Sequence, residues 1–521
     1  MRARARSRVA ADGRCMTLFL IAAATAHSEV LWTRRTDESI YHHLSYSDGA
    51  FLLSNSNGPP VAAELMPAAK TAAPLWTWNS PLNKGRSPRN ISIDGLVATA
   101  SSSTARAGLA LAYVDDKPGP GPFGNLNTVA IAVGFPGGSS TSNRTSFSYE
   151  TKAPYGNVSR LALSPHHHVT CHELPGAPPR LLLRNATTGA LIANTSLPPT
   201  IRQCSGEDGW YSYENMVAAA NTAARPHNFT RVAIAPKLGN GRDPYPGVGL
   251  VIATQRGQDD TTDGSDNQME MDDLSDWVTR DPNGKWVYAL AIEPSGHWIA
   301  YADATGLKLV EPAGGGWSLP NLLWADAKPP AKGIPQAIGW AADGSVLGVA
   351  YAIDPNAGPV GPAWQNSVVV AYAWPPRIDS ASGDPILHEI ARHELECYAA
   401  LTPFPSALHV TDGGEAVVVG LWGCTNGTGT GRDHPIGQTA VVLPLRGSLA
   451  GGRARVLGTN GTVFAVAARA EVRRRKPQPQ SGADMGEDQE ELELIVAVAG
   501  KRTHANEMGR GGFAEAWKLR L

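Results

Sequence analysis

Ser406–Trp422 reads SALHVTDGGEAVVVGLW. Two short apolar runs, Leu408–Thr411 and Ala416–Leu421, flank a tight Asp412-Gly413 turn. Gly supplies the positive φ that such a turn needs, and the runs are rich in β-branched residues, so the stretch predicts a β-hairpin. The same unit recurs along the chain. His43–Ser47, Asp48-Gly49 and Ala50–Ser54 form one copy, and Asn90–Ile93, Asp94-Gly95 and Leu96–Ala100 another. Leu161–Ser164, Pro165 and Val169–Glu173 follow, continued by Leu181–Arg184 and Leu191. Ala289–Glu293, Pro294-Ser295-Gly296 and Trp298–Ala302 repeat it, as do Ala337–Ala341, Ala342-Asp343-Gly344 and Val346–Ala350. Period-2 alternation gives each strand pair two apolar faces that it cannot hide alone, so the units must stack on one another.

Composition agrees with an all-β chain. The 521 residues include 55 Gly and 40 Pro, and only 18% are charged. Many short strands with Gly/Pro-rich turns predict a sandwich, barrel or propeller, and a repeat fold explains how so long a chain remains one domain. Units fall at residues 38–80, 88–150, 156–200, 210–280, 284–328, 333–396, 404–458 and 460–521. The fourth and eighth are the least regular, which leaves seven or eight. Insertions are expected at 115–125 (DDKPGPGPFGN), 257–276 and 476–491, where Pro, Gly and acidic residues replace the apolar pattern. The run Arg473-Arg474-Arg475-Lys476 reads as a solvated loop.

LALSPHHHVTCHEL (161–174) with LLLRNATTGALIA (181–193), ALAIEPSGHWIAYAD (289–303) and the opening stretch resemble the repeats of WD-repeat-like and quinoprotein-like β-propellers. The Trp-Asp and Gly-His pairs of true WD repeats are missing, which marks a divergent relative. The resemblance implies a single propeller over 29–521, with seven or eight four-stranded antiparallel blades. Glu29–Arg34 (EVLWTR) is then available to close the last blade against the first.

The N-terminus reads as a cleavable signal peptide, residues 1–26. Arg2, Arg4, Arg6, Arg8 and Arg14 precede the apolar core Met16–Ala26, and Ala24-Thr25-Ala26 offers a small-x-small cut site. The apolar run is too short to span a bilayer, and no other segment is long enough. The mature chain keeps Cys171, Cys204, Cys397 and Cys424, for which Cys171–Cys204 and Cys397–Cys424 are the expected pairs in an oxidising compartment. Eight N-x-[ST] sequons, at Asn90, Asn143, Asn157, Asn185, Asn194, Asn228, Asn426 and Asn460, fit a glycoprotein of the secretory lumen or exterior. A formal net charge of -2 gives no electrostatic footprint for nucleic acid.

Asp259–Glu270 (DDTTDGSDNQME) places Asp259, Asp263 and Glu270 at positions one, five and twelve of a calcium-loop spacing. Thr261 at position three and Asp266 at position eight depart from it, and a solvated acidic loop is the alternative. His166-His167-His168 with His172, and His42-His43, cluster in sequence, but neighbouring strand side chains face opposite ways. The triple histidine reads as a turn. No G-x-S-x-G elbow is present, and Thr279–Trp286 resembles the Asp-box turn of sialidase-type propellers once only, with Asn283 where that motif has Gly. Trp76, Trp78, Trp286, Trp298, Trp340 and Trp422 read as packing between units.

The expectation is a monomeric binding module for a protein or glycan partner, with no cofactor. The alternative is a hydrolase or lyase with acidic residues at a central channel, assisted by calcium.

Overall fold

The computed structural model describes residues 28–37, 40–47, 49–56, 62–79, 91–97, 107–118, 125–135, 145–151, 157–163, 167–174, 176–185, 190–204, 217–222, 229–235, 237–238, 251–256, 270–273, 287–303, 306–311, 321–325, 333–353, 367–378, 380, 385–395, 402–425, 439–446, 454–459, 461–474, 490–502 and 511–520. Among them every regular element is a strand. Eight four-stranded antiparallel sheets succeed one another, and a small extra pair joins Ile201–Gln203 to Lys237–Leu238. Sheets I to VII span 40–79, 91–151, 157–196, 217–273, 287–325, 333–395 and 402–458. Sheet VIII spans 462–520 and takes its fourth strand from Ser28–Arg35.

The first strand of every sheet touches the first strand of the next. Ile40–Ser47, Ile91–Val97, Asn157–Leu163, Val217–Thr222, Val287–Ile292, Gly333–Trp340, Thr402–Val410 and Thr462–Arg474 follow one another, and the last returns to the first. The sheets are therefore arranged radially around one axis, and the fold is a β-propeller.

Side-chain alternation explains why the ring holds. In sheet VI, Leu347, Val349, Tyr351, Val368 and Val370 pack on Ala300, Ala302, Leu307 and Leu309 of sheet V. The intervening Ala350, Val369 and Ala371 face Val417, Val419 and Val441 of sheet VII. Sheet VI is apolar on both faces because it is sandwiched between its two neighbours. Similar clusters fill the seams III/IV, IV/V, VII/VIII and VIII/I. Full burial of one Leu, Val or Ile contributes roughly 1.5–3 kcal/mol, so these seams are the main source of stability. Where the sheets approach most closely, glycine takes the place of a side chain. A Cβ on Gly348 would lie 2.9 Å from Val410 Cγ2, and one on Gly420 would collide with Val463.

The N-terminal strand closes the circle. Ser28–Arg35 runs antiparallel to Gly512–Arg520, with Ser28 opposite Leu519 and Arg35 opposite Phe513. Leu31 and Trp32 are buried with Phe51, Leu53 and Met66 of sheet I. Trp32 Nε1 donates to the Pro67 carbonyl at 3.0 Å. Arg34 donates Nε and Nη2 to both oxygens of Glu64, at 2.8 and 2.6 Å. That carboxylate holds the guanidinium pKa above its ordinary value. Burial raises the pKa of the neighbouring Tyr41 hydroxyl, and the Glu64 charge adds to the effect.

The VII/VIII seam also holds a titratable group. Glu515 is buried on the same strand face as Phe513 and Trp517, and desolvation pushes its pKa up to about 6, partly offset by Arg35. A carboxyl raised in the folded state stabilises the fold only while protonated. The contribution is complete below its unfolded value of 4.5 and is lost as pH rises through about 6. Glu515→Gln is therefore expected to raise the melting temperature at pH 7–8 and to match the parent at pH 4.5, in thermal melts across that range.

Several sequence expectations change. Asp94-Gly95 is no turn: it lies inside Ile91–Val97, where the register against Ala107–Pro118 shifts between Asp94 and Val97. The expected insertions are shorter at their ends. Asp115–Pro118 belongs to a strand and Asn125 begins the next, Glu270–Asp273 is the outer strand of sheet IV, and Glu490 and Glu491 begin Glu490–Lys501. Arg473 and Arg474 are strand residues, in register with Glu491 and Glu490. His167 and His168 begin a strand, not a turn. Residues 1–26, Arg475 and Lys476 lie outside the described residues.

Candidate functional site

Sheets V, VI and VII share one turn geometry between their first and second strands. It runs Glu293-Pro294-Ser295-Gly296, Ala341-Ala342-Asp343-Gly344 and Thr411-Asp412-Gly413-Gly414. In each, the fourth residue is a glycine with positive φ: 75°, 72° and 67°. Its N–H donates to the carbonyl of the first residue, at 2.7, 2.9 and 2.9 Å. The first residue's N–H in turn donates to the carbonyl five residues on. A left-handed glycine after a tight turn is what lets the strands pair with the right twist. In sheet VII that glycine is Gly414, and Asp412-Gly413 are the two central residues of the turn.

Each turn is stiffened by its own polar side chains. Ser295 donates N–H and Oγ to Glu293 Oε2. Ser345 donates N–H at 2.9 Å and Oγ at 2.6 Å to Asp343 Oδ1. Thr411 Oγ1 donates to Glu415 Oε2 at 2.7 Å and accepts from the N–H of Glu415 and Ala416. The turns also touch their neighbours. Buried Arg231 of sheet IV donates to the Gly296 carbonyl, and Asp343 N–H donates to the Asp412 carbonyl at 2.9 Å. A Cβ on Gly344 would lie 2.9 Å from Glu293 Oε1.

The rim continues past sheet VII. His409 Nε2 donates to the Ala468 carbonyl at 3.0 Å, which places a proton on that nitrogen, and burial lowers the pKa of the ring. Arg469 Nη1 donates to Tyr46 Oη at 2.5 Å, and Gly49 N–H donates to the same oxygen at 2.9 Å. One polar rim thus runs from sheet IV to sheet I with its geometry set before any ligand arrives.

Three tryptophans stand on this rim. Trp298 follows the sheet V turn, Trp340 precedes the sheet VI turn, and Trp374 donates its backbone N–H to Ser345 at 2.8 Å. Trp374 lies edge-to-face with both others, at centroid distances of 5.0 and 4.8 Å and interplanar angles of 83° and 81°. All three pack on the V/VI cluster, as expected of Trp298 and Trp340, and each is only partly buried. Trp340 Nε1 is buried without a hydrogen-bond partner among the described residues. Asp343 and Asp412 are exposed beside them. Aromatic edges held next to carboxylates suit a ligand with an apolar or C–H-rich face and donor groups at its margin. Neither Trp374 nor the alignment of the three turns was singled out in the sequence. The turn spacing was visible; the placing of strand 367–378 over it was not.

The other residues named in the sequence are dispersed. Cys171 and Cys204 are joined as a disulfide, Cα atoms 5.9 Å apart, within the III/IV apolar seam. Cys424 lies near the end of Ala416–Thr425, and Cys397 is outside the described residues. Glu270 opens the outer strand of sheet IV and is exposed, whereas Asp259 and Asp263 lie outside the description. His172 is buried and lies 2.8 Å from Thr170 Oγ1, while His166 and Thr279–Trp286 are outside. Asn157 heads the inner strand of sheet III, Asn185 ends its third strand and Asn194 lies in its outer strand. Asn90, Asn143, Asn228, Asn426 and Asn460 are outside. Among the described residues, no three His, Cys, Asp or Glu side chains gather as a metal site, and no helix is long and apolar enough to cross a membrane.

No protein-family model matches the chain, and no curated protein sequence does. Solved structures do. The β-propeller domain of Myceliophteria thermophila Cps50 (Swd1) is 12% identical, with a TM-score of 0.39 over 78% of this chain and 92% of that one. The Dos1 propeller is 10% identical, with a TM-score of 0.44 over 94% and 95%. The periplasmic gluconolactonase PpgL of Pseudomonas aeruginosa is 13% identical, with a TM-score of 0.36 over 82% and 97%.

Proposed function

We propose that this chain is an eight-bladed β-propeller of the secretory lumen or exterior that binds a protein or glycan partner through the turn rim of sheets IV to VII. The eight four-stranded sheets and the returning contact of strand 462–474 with strand 40–47 support the blade count. The signal-like residues 1–26, the eight sequons and the Cys171–Cys204 disulfide support the compartment. The binding reading rests on one observation: Trp298, Trp340 and Trp374 form a mutually packed, partly buried group on the same rim as exposed Asp343. Trp is over-represented among the residues that dominate binding energy, because a large flat ring is buried at little entropic cost.

The test is a pull-down of the secreted, glycosylated protein from culture medium together with a glycan array, comparing the parent with Trp298→Ala and Asp343→Asn. Both variants are expected to lose at least about tenfold in retention, equivalent to about 1.4 kcal/mol. Melting temperatures measured in parallel separate this from unfolding, since Asp343→Asn removes the charge and keeps the Oδ1 that accepts from Ser345. Unchanged retention by both variants excludes the rim.

A further inference from the structure

The outer circumference of a propeller is a ring of edge strands, each with unpaired N–H and C=O groups that invite pairing with another chain. Natural edges are blunted by charges, proline, bulges or covering groups. The outer strand of sheet VI, Pro385–Leu395 (PILHEIARHEL), carries Glu389, Arg392 and Glu394 and a bulge opposite Ala371–Tyr372. The outer strand of sheet III, Leu191–Ser196 (LIANTS), has no charged residue, and its described pairing is with Ala177–Asn185 alone. Leu191 at its start is 47% exposed. By composition it is an unprotected edge.

It holds a sequon, Asn194-Thr195-Ser196. The strand is extended, so Asn194 and Ser196 share a face, and Ser196 is exposed while Asn194 is half-buried. The Asn194 amide oxygen is buried without a hydrogen-bond partner among the described residues. With the oxygen turned inward, the amide nitrogen is the end that meets solvent. That nitrogen is the atom an N-glycan takes.

We infer that Asn194 is N-glycosylated and that its glycan is the covering group of the sheet III edge, keeping Leu191–Ser196 from pairing with a second chain. The inference rests on the secretory reading above. A branched, hydrated oligosaccharide standing at the middle of a six-residue strand leaves no room for another strand alongside.

The experiment is secretion of the full chain from a eukaryotic host, followed by peptide mass mapping before and after enzymatic removal of N-glycans. Conversion of Asn194 to Asp on deglycosylation is expected. The variants Asn194→Gln and Ser196→Ala, both losing the glycan by different chemistry, are expected to self-associate at least several-fold more in light scattering, with melting temperatures unchanged. If no sequon is modified and residues 1–26 are retained, the secretory reading fails. If other sequons carry glycans and Asn194 does not, this inference alone is overturned. Modified Asn194 with both variants still monomeric overturns the shielding role.

Discussion

Removal of residues 28–35 is expected to abolish cooperative folding of the ring. Without that strand, sheet VIII has three strands and Gly512–Arg520 becomes an open edge along its whole length. Leu31 and Trp32, at 5% and 3% exposure, leave the VIII/I seam, and Phe51 and Met66 lose their cover. Trp32→Ala alone is expected to cost about 3–5 kcal/mol through the cavity it leaves. The lost backbone pairs add about 1 kcal/mol each. The total is of the order of a whole domain's stability, about 5–15 kcal/mol. The measurement is thermal and urea unfolding, with limited proteolysis of sheets VIII and I. A control separates closure from charge. The Glu29–Lys70 ion pair at 2.9 Å, with side chains 52% and 74% exposed, joins the same two sheets, and its double alanine variant is expected to leave the unfolding curve unchanged, because solvent screens so exposed a pair. A truncated chain with the parent melting curve contradicts closure by this strand.

Gly500→Ala is expected to be the most damaging single methyl addition in the described chain. Gly500 stands opposite Val463 in the pairing of Glu490–Lys501 with Thr462–Arg474, and its added Cβ would fall on the Thr462 carbonyl. Backbone cannot rotate aside as a side chain can, so the sheet must part locally at the inner strand of sheet VIII. Overpacking against a fixed neighbour costs about 3 kcal/mol or more. Gly458, also in a strand but with open space around its virtual Cβ, provides the comparison. Gly458→Ala is expected to be neutral within about 0.5 kcal/mol. Parallel urea titrations give both values, and equal effects from the two substitutions contradict the close approach.

Much of the fold was legible because hairpin chemistry is local. The strand pairs read at 289–302, 337–350 and 408–421 are hairpins in the structure. Local reading failed where the partner strand decides. Asp94-Gly95 has turn chemistry, yet the register against Ala107–Pro118 absorbs it as an irregularity within a strand. Asp115, Glu270 and Glu490 looked like loop because charged strand ends carry no apolar alternation, and only the register with Asn127, Thr254 and Arg474 across each connection places them in strands. The rim was legible only in fragments. Trp298 and Trp340 read as packing, which they perform, but their shared contact with Trp374 depends on strand 367–378, which pairs with 346–353 and 385–395.

The most direct measurement is an experimental density map of the full chain, fine enough to separate strands about 4.7 Å apart. Viewed down the axis, it is expected to reveal eight radial sheets, with residues 28–35 as the outermost strand beside 512–520. Helical layers, two sandwiches on separate axes, or an N-terminal strand lying away from 512–520 would contradict the closed ring and the rim that depends on it.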